Sequence, residues 1–190
     1  AWSALAQGVF GGSFPAARSL AVMPGGDLIA GGNFERAGTV TARGIARWDG
    51  SLWFTMGTGF DSTVLALAPL ANGDIIAGGM DVGEQGVVLT SIDGSTWTRL
   101  PSLGSGFLRA LAFGQGAFLV GGANGALYAT TDAATFTPVS IATTSNIEGA
   151  AISSNRFWLV GSNGLWASAT QPGAWSFGPN ITTTTFRGVA

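Results

Sequence analysis

One short pattern returns along this chain at nearly constant spacing. An aromatic side chain is followed, twelve residues on, by a position that stands two residues before an apolar pair ending in alanine. The aromatic and following positions are Trp53 and Leu65, Trp97 and Arg109, Phe136 and Glu148, and Trp175 and Arg187. The first copy, Trp2 and Arg18, has a spacing of sixteen. The apolar pairs are Leu20 with Ala21, Leu67 with Ala68, Leu111 with Ala112, Ala150 with Ala151, and Val189 with Ala190. Self-similarity at a fixed period means a repeat architecture, whose units bury their apolar faces against one another.

Within each unit the pattern reads as four short strands, a to d, between turn signals. Strand a carries the Leu-Ala pair. Strand b is almost wholly apolar, as at Leu28 to Ala30, Ile75 to Ala77, Phe118 to Val120 and Trp158 to Val160. Such a run predicts burial on both faces. Each b strand ends in glycine: Gly31 and Gly32, Gly78 and Gly79, Gly121 and Gly122, and Gly161. Strand c alternates and strand d begins at the aromatic. With 31 glycines in 190 residues, long helices are not expected. Four-stranded units repeated radially define a β-propeller.

The expected fold is therefore all-β: four full antiparallel blades near 18–57, 65–102, 109–140 and 148–180. A lone d strand at 1–8 and a lone a strand at 186–190 would form a partial fifth blade. The whole of 1–190 reads as one propeller or as part of a larger one, since the chain opens and closes inside a repeat. Trp53, Trp97, Phe136 and Trp175 are expected to be buried between neighbouring blades.

Composition removes several functions. Charged residues are 9% and net charge is −2, so nothing recruits nucleic acid or an anionic membrane. All eight basic residues are Arg, and His and Cys are absent. Ser-His-Asp chemistry, thiolate chemistry, disulfides and zinc catalysis fall out by inventory. The uncharged stretch 110–131 has the length of a membrane span, but Gly114, Gly116, Gly121, Gly122, Asn124 and Gly125 divide it into strands. Membrane insertion is not expected.

The c–d turns share a motif. Its fullest copy has Ser91, Asp93, Gly94, Thr96 and Trp97; weaker copies centre on Asp49 with Trp53, Asp132 with Phe136, and the segment before Trp175. This resembles the Asp-box (BNR) repeat of sialidase-like propellers, and the first unit also resembles repeats of bacterial secreted and surface propellers. In that family the box is a fold element on the rim. On the residues themselves, the aspartate is expected to hydrogen-bond its own turn rather than do acid-base chemistry. Photosystem-assembly-type factors also resemble such propellers.

Candidate binding residues fall into two sets. Arg18, Arg109, Glu148 and Arg187 share one register at the start of strand a, which lines the channel, so they should ring its mouth. Converging guanidinium forks bind carboxylate or phosphate. The second set lies in the longer b–c loops: Glu35, Arg36 and Arg43 in the first unit, Asp81 and Glu84 in the second. The resemblance implies a Tyr-Glu nucleophile pair in an active sialidase, yet the one tyrosine, Tyr128, sits inside strand c. Asp81 and Glu84 fall short of a calcium site, so no metal and no cofactor is expected. Asn180 to Thr182 forms a glycosylation sequon.

The function expected from these readings is a non-catalytic scaffold or interaction module at the cell surface or outside it, of bacterial or phage origin. It would bind a protein partner or assemble with itself through unpaired terminal strands into a fibre or array. The alternative is a glycan-binding or glycan-hydrolysing protein that uses the Arg-ringed mouth.

Overall fold

The structure is a computed structural model; it describes residues 7–60, 63–69, 73–81, 83, 85–104, 106–179 and 184–187. The chain opens with β1 (Val9–Phe10), β2 (Ala16–Val22) and β3 (Leu28–Asn33). The short β4 (Arg36–Ala37) and β5 (Val40–Thr41) follow, then β6 (Ile45–Trp48) and β7 (Trp53–Thr55). The second unit contains β8 (Thr63–Pro69), β9 (Ile75–Met80), β10 (Gly86–Ser91) and β11 (Thr98–Arg99). The third contains β12 (Leu108–Gly114), β13 (Ala117–Gly122), β14 (Leu127–Thr130) and β15 (Thr137–Pro138). The fourth contains β16 (Ile147–Ser153), β17 (Arg156–Gly161), β18 (Trp166–Ala169) and β19 (Ser176–Phe177).

Each unit is one antiparallel sheet in the order a-b-c-d: β2-β3-β6-β7, β8-β9-β10-β11, β12-β13-β14-β15 and β16-β17-β18-β19. The a strands pack side by side in the sequence β2, β8, β12, β16, which sets the sheets as blades around an axis. The chain is an all-β propeller. No helix among the described residues is long and apolar enough to cross a membrane.

Tight turns close the a–b hairpins of the third and fourth blades. Gln115 and Gly116 both have positive φ, as do Ser154 and Asn155, the pattern of a type I′ turn whose twist matches the strands. Strand b is buried on both faces in the first three blades because its alternating residues serve two interfaces. Ile29 and Ile45 of the first blade meet Val64, Ile75 and Ala77 of the second. Ile76 and Val88 meet Phe118 and Val120 of the third. Leu119 and Leu127 meet Ile147, Phe157 and Leu159 of the fourth.

The d-strand aromatics depart from expectation. Trp97, Phe136 and Trp175 do pack on the interface with the preceding blade, and Trp97 meets Phe60 edge-on at 4.9 Å. All three are half-buried, however, because strand d is outermost and only two residues long here. Trp53 is buried by another route. The b–c segment of the first blade folds back, and β4 and β5 join β1 in a three-stranded flap. Phe34, Ala37 and Ala42 of that segment cover Ala30, Ala46 and Trp53, on the face of the first blade turned away from the second. A flap therefore stands where a preceding blade would. The lone d strand expected at 1–8 lies outside the described residues but for Gln7 and Gly8, neither of which is in a strand; Thr184 to Arg187 is irregular, and Val189 and Ala190 also lie outside.

The turn aspartates work on their own backbone. Asp93 Oδ1 accepts from the amides of Ser95 at 2.7 Å and Thr96 at 2.6 Å, and Asp132 Oδ1 from Ala134 at 2.9 Å and Thr135 at 2.8 Å. Asp49 takes the amides of Ser51 and Leu52, both at 2.8 Å. Amide donors favour the charged carboxylate. The Thr96 and Ser95 amides hold Asp93 at about 2, and the Thr135 and Ala134 amides do the same for Asp132, both from an ordinary 3.8. A depressed folded-state pKa gives stability that is present above the unfolded value and lost as pH falls through the folded one. Stability is thus expected to fall between about pH 4 and about pH 2. Asp93→Asn should flatten that slope in denaturation midpoints measured across the window, and an unchanged slope would contradict it.

Candidate functional site

The axial mouth is built by a bulge repeated in every blade. Pairing between strands a and b skips one residue at the same place each time: Arg18 between Ala17 and Ser19, Leu65 between Val64 and Ala66, Arg109 between Leu108 and Ala110, and Glu148 between Ile147 and Gly149. A bulge leaves its extra residue off the ladder and re-aims its side chain. The glycines that end strand b explain how the bulge fits. A Cβ at Gly32, Gly79, Gly122 or Gly161 would run into a carbonyl oxygen of strand a or the residue just before it: Ala16, Thr63, Phe107 or Asn146. Only hydrogen leaves room for that approach.

The bulged residues converge. Arg18, Leu65, Arg109 and Glu148, with Arg187 from the last described segment, line a cavity of about 360 Å³ between the a strands. Glu148 is buried and forms an ion pair with the Arg109 guanidinium. That guanidinium also lies over the Phe107 ring, 3.9 Å from its centroid. Phe107 and Glu148 thus fix Arg109 in place from two sides. Arg18 and Arg187 are exposed and have no ion pair or hydrogen bond among the described residues. Among the described residues, three guanidinium groups face one carboxylate at the mouth. Ser19 lines the same cavity, and its Oγ is shielded from solvent without a hydrogen-bond partner.

The loop residues divide. Glu35, Arg43 and Asp81 border a larger cleft of about 740 Å³ between the first two blades, with Asn33, Thr41 and Phe60. Two of its polar groups are engaged in hydrogen bonds with neighbouring segments. Asn33 donates to the Ser13 carbonyl at 2.9 Å. Asp81 Oδ1 accepts from the amides of Gly83 at 2.9 Å and Gln85 at 3.0 Å, and Oδ2 pairs with Arg99 at 2.6 Å. The Arg99 guanidinium, then the Gln85 amide, hold the Asp81 carboxyl below the usual range. Arg36 lies elsewhere: it donates to the Thr39 carbonyl at 2.9 Å and covers the Phe10 ring. Within the loop from Asn33 to Arg43, Arg36–Ala37 and Val40–Thr41 are strands of the flap, while Glu35 and Arg43 stay at the cleft. Glu84 and the sequon at 180–182 lie outside the described residues. Tyr128 stands in β14 and donates to the Leu103 carbonyl, so it takes no part in the mouth.

Sequence spacing found the register of the mouth but missed the bulge that creates it. The paired glycines opposite were the available signal, since two adjacent positions without side chains mark a close backbone approach.

No family model matches the chain, and no curated protein does. Solved structures do. A gluconolactonase, XC5397 from Xanthomonas campestris, superposes with a TM-score of 0.61 at 17% identity over 86% of this chain and 62% of that one. YCF48 from Cyanidioschyzon merolae gives 0.57 at 14% identity over 82% of this chain and 56% of that one. This chain thus spans less than two thirds of either. At these identities the likeness is one of fold, and the shared fold is the β-propeller. It also corrects one expectation: a blade arrangement like this one carries an enzyme, so the absence of catalysis does not follow from the scaffold.

Proposed function

We propose that this chain is a propeller interaction module of the Asp-box kind that takes an anionic ligand at its axial mouth, with acidic sugars as the favoured class. The carrying observation is the pair Arg18 and Arg187, which line the cavity without a counter-ion among the described residues, beside an Arg109 already balanced by Glu148. Guanidinium forks match a carboxylate with two parallel hydrogen bonds. A gluconolactonase among the structural neighbours adds support for sugar chemistry on this fold. The extracellular or cell-surface setting expected of such repeats belongs to the same proposal.

Calorimetric titration with glucuronate and with glucose tests the reading. Glucuronate is expected to bind and glucose to bind at least about tenfold more weakly, the worth of a charged hydrogen bond. Arg18→Ala and Arg187→Ala should each weaken glucuronate by about tenfold, and added salt should weaken it further. Equal affinity for the two sugars, or full affinity in the double variant, would overturn the assignment.

A further inference from the structure

Seven non-glycine positions among the described residues have positive φ. Six of them belong to turns that recur from blade to blade: Gln115, Asn124, Ala133, Ser154, Asn155 and Asn163. The seventh is Phe14, at φ 56°. A bulky side chain is seldom held in that region. Nor does its ring serve the core, since Phe14 is almost wholly exposed. An exposed aromatic on a strained backbone points to a use outside the fold.

Phe14 adjoins Gly12 and Ser13, which border the cleft of about 740 Å³ between the first two blades. That volume falls within the range of roughly 300–1,000 Å³ found for ligand sites. Both walls come from these two blades and the loop that enters the first. Three charged side chains line the cleft among the described residues. Asp81 is paired with Arg99, and Arg43 is engaged as well. The Glu35 carboxylate has no hydrogen bond or ion pair among the described residues. Nearby Arg36 does not reach it; that guanidinium donates to the Thr39 carbonyl and covers Phe10. The free charge of the cleft is therefore negative.

Glu35 is fixed in place beside the Phe14 loop. Its amide donates to the Phe10 carbonyl at 3.1 Å. A Cβ added at Gly11 would lie 3.2 Å from Glu35 Oε2, and one at Gly12 would lie 3.6 Å from Oε1. Phe14 follows Gly12 by two residues, so their Cα atoms are within about 7 Å. The chain itself shows twice what sits between a carboxylate and a phenyl ring. Arg109 pairs with Glu148 and lies over Phe107. Arg47 pairs with Asp27 at 2.5 Å and lies over Phe54, 4.8 Å from its centroid.

We propose that Glu35 and Phe14 form a site for a guanidinium group, carried by a small alkylguanidine or by an arginine of a partner polypeptide. The guanidinium fork would pair with the carboxylate, and its face would lie on the ring. The site goes beyond the axial-mouth reading, has the opposite charge preference and does not depend on it.

Amide-resolved NMR titration of the full chain is the test. The probes are N-acetyl-arginine methylamide, the matching citrulline derivative and butylguanidinium. Citrulline keeps the shape of arginine and loses its charge. The arginine probe is expected to shift the amides of Gly12, Ser13 and Glu35 saturably. The citrulline probe should bind at least about tenfold more weakly, the worth of a charged hydrogen bond. Glu35→Gln should weaken the arginine probe by about tenfold, and Phe14→Ala by about threefold, the scale of an exposed cation–π contact. Glu35→Gln should not alter the glucuronate titration, so the two sites stand or fall separately. Tighter binding of the arginine probe than of butylguanidinium assigns a polypeptide, and equal binding assigns a small guanidine. Equal affinity for the arginine and citrulline probes overturns the proposal. So does a folded Glu35→Gln variant with full affinity, or shifts that spread over the surface without saturating.

Discussion

Gly122→Ala is expected to cost at least about 3 kcal/mol, the upper part of the range for overpacking, while Gly25→Ala should stay within about 0.5 kcal/mol. Both replacements add one methyl group. At Gly25 an added Cβ meets nothing within 4 Å. At Gly122 it meets the Phe107 carbonyl, with the Phe107 carbon and Leu108 Cδ2 both at 3.1 Å. The backbone at Gly122 is extended, with φ near −165°, so the conflict is one of space. A flexible side chain relieves such a clash by turning away; a carbonyl in a strand cannot. Relief requires strand a to move off strand b at the bulge that positions Arg109. The variant is therefore expected to lower the denaturation midpoint and also to weaken binding at the axial mouth. Urea titrations of both variants check the first part. A Gly122→Ala protein as stable as Gly25→Ala would refute the close approach.

Phe118→Ala should remove about 3–5 kcal/mol, as for other large core aromatics. Phe118 is almost wholly buried, and it packs against Ala68, Ile76 and Val88 of the second blade and the Phe113 ring 4.4 Å away. Its removal opens a void between two sheets, and backbone pairing on both sides limits collapse. Phe14→Ala is the control, since Phe14 is 89% exposed and its loss should fall within surface scatter. Thermal or urea unfolding of the pair measures the difference. A Phe118→Ala loss of less than about 1 kcal/mol would mean that the second and third blades do not interlock as described.

The blades were legible because their signals are local. The Leu20–Ala21 pair and its relatives, the turn at Gln115 and Gly116, and the doubly apolar strand b each declare themselves within ten residues. The flap was not legible. Val9–Phe10, Arg36–Ala37 and Val40–Thr41 are too short to show a period. They become strands because the Trp53 face needs cover. The aspartate turns could be read from sequence, since each carboxylate reaches only two or three residues ahead. The shared register put Arg109 and Glu148 in one ring, but which arginine the carboxylate pairs with appears only in the fold.

The repeated bulge separates two kinds of selection. A residue in the ladder answers to its cross-strand neighbour and to the blade behind it, so its identity is held by stability. The residue skipped by the ladder has no cross-strand neighbour and answers only to what it meets at the mouth. Arg18, Leu65, Arg109 and Glu148 show the result: a cation, an aliphatic, a cation and an anion occupy one structural position in four otherwise similar blades. Where the side chain has no partner, as at Arg18, such a position can change at little cost to folding, whereas Arg109 and Glu148 are tied to each other; each of the four blades contributes one. A lineage with this architecture could rewrite the charge pattern of its axial mouth one blade at a time and test new ligands while the scaffold stays the same.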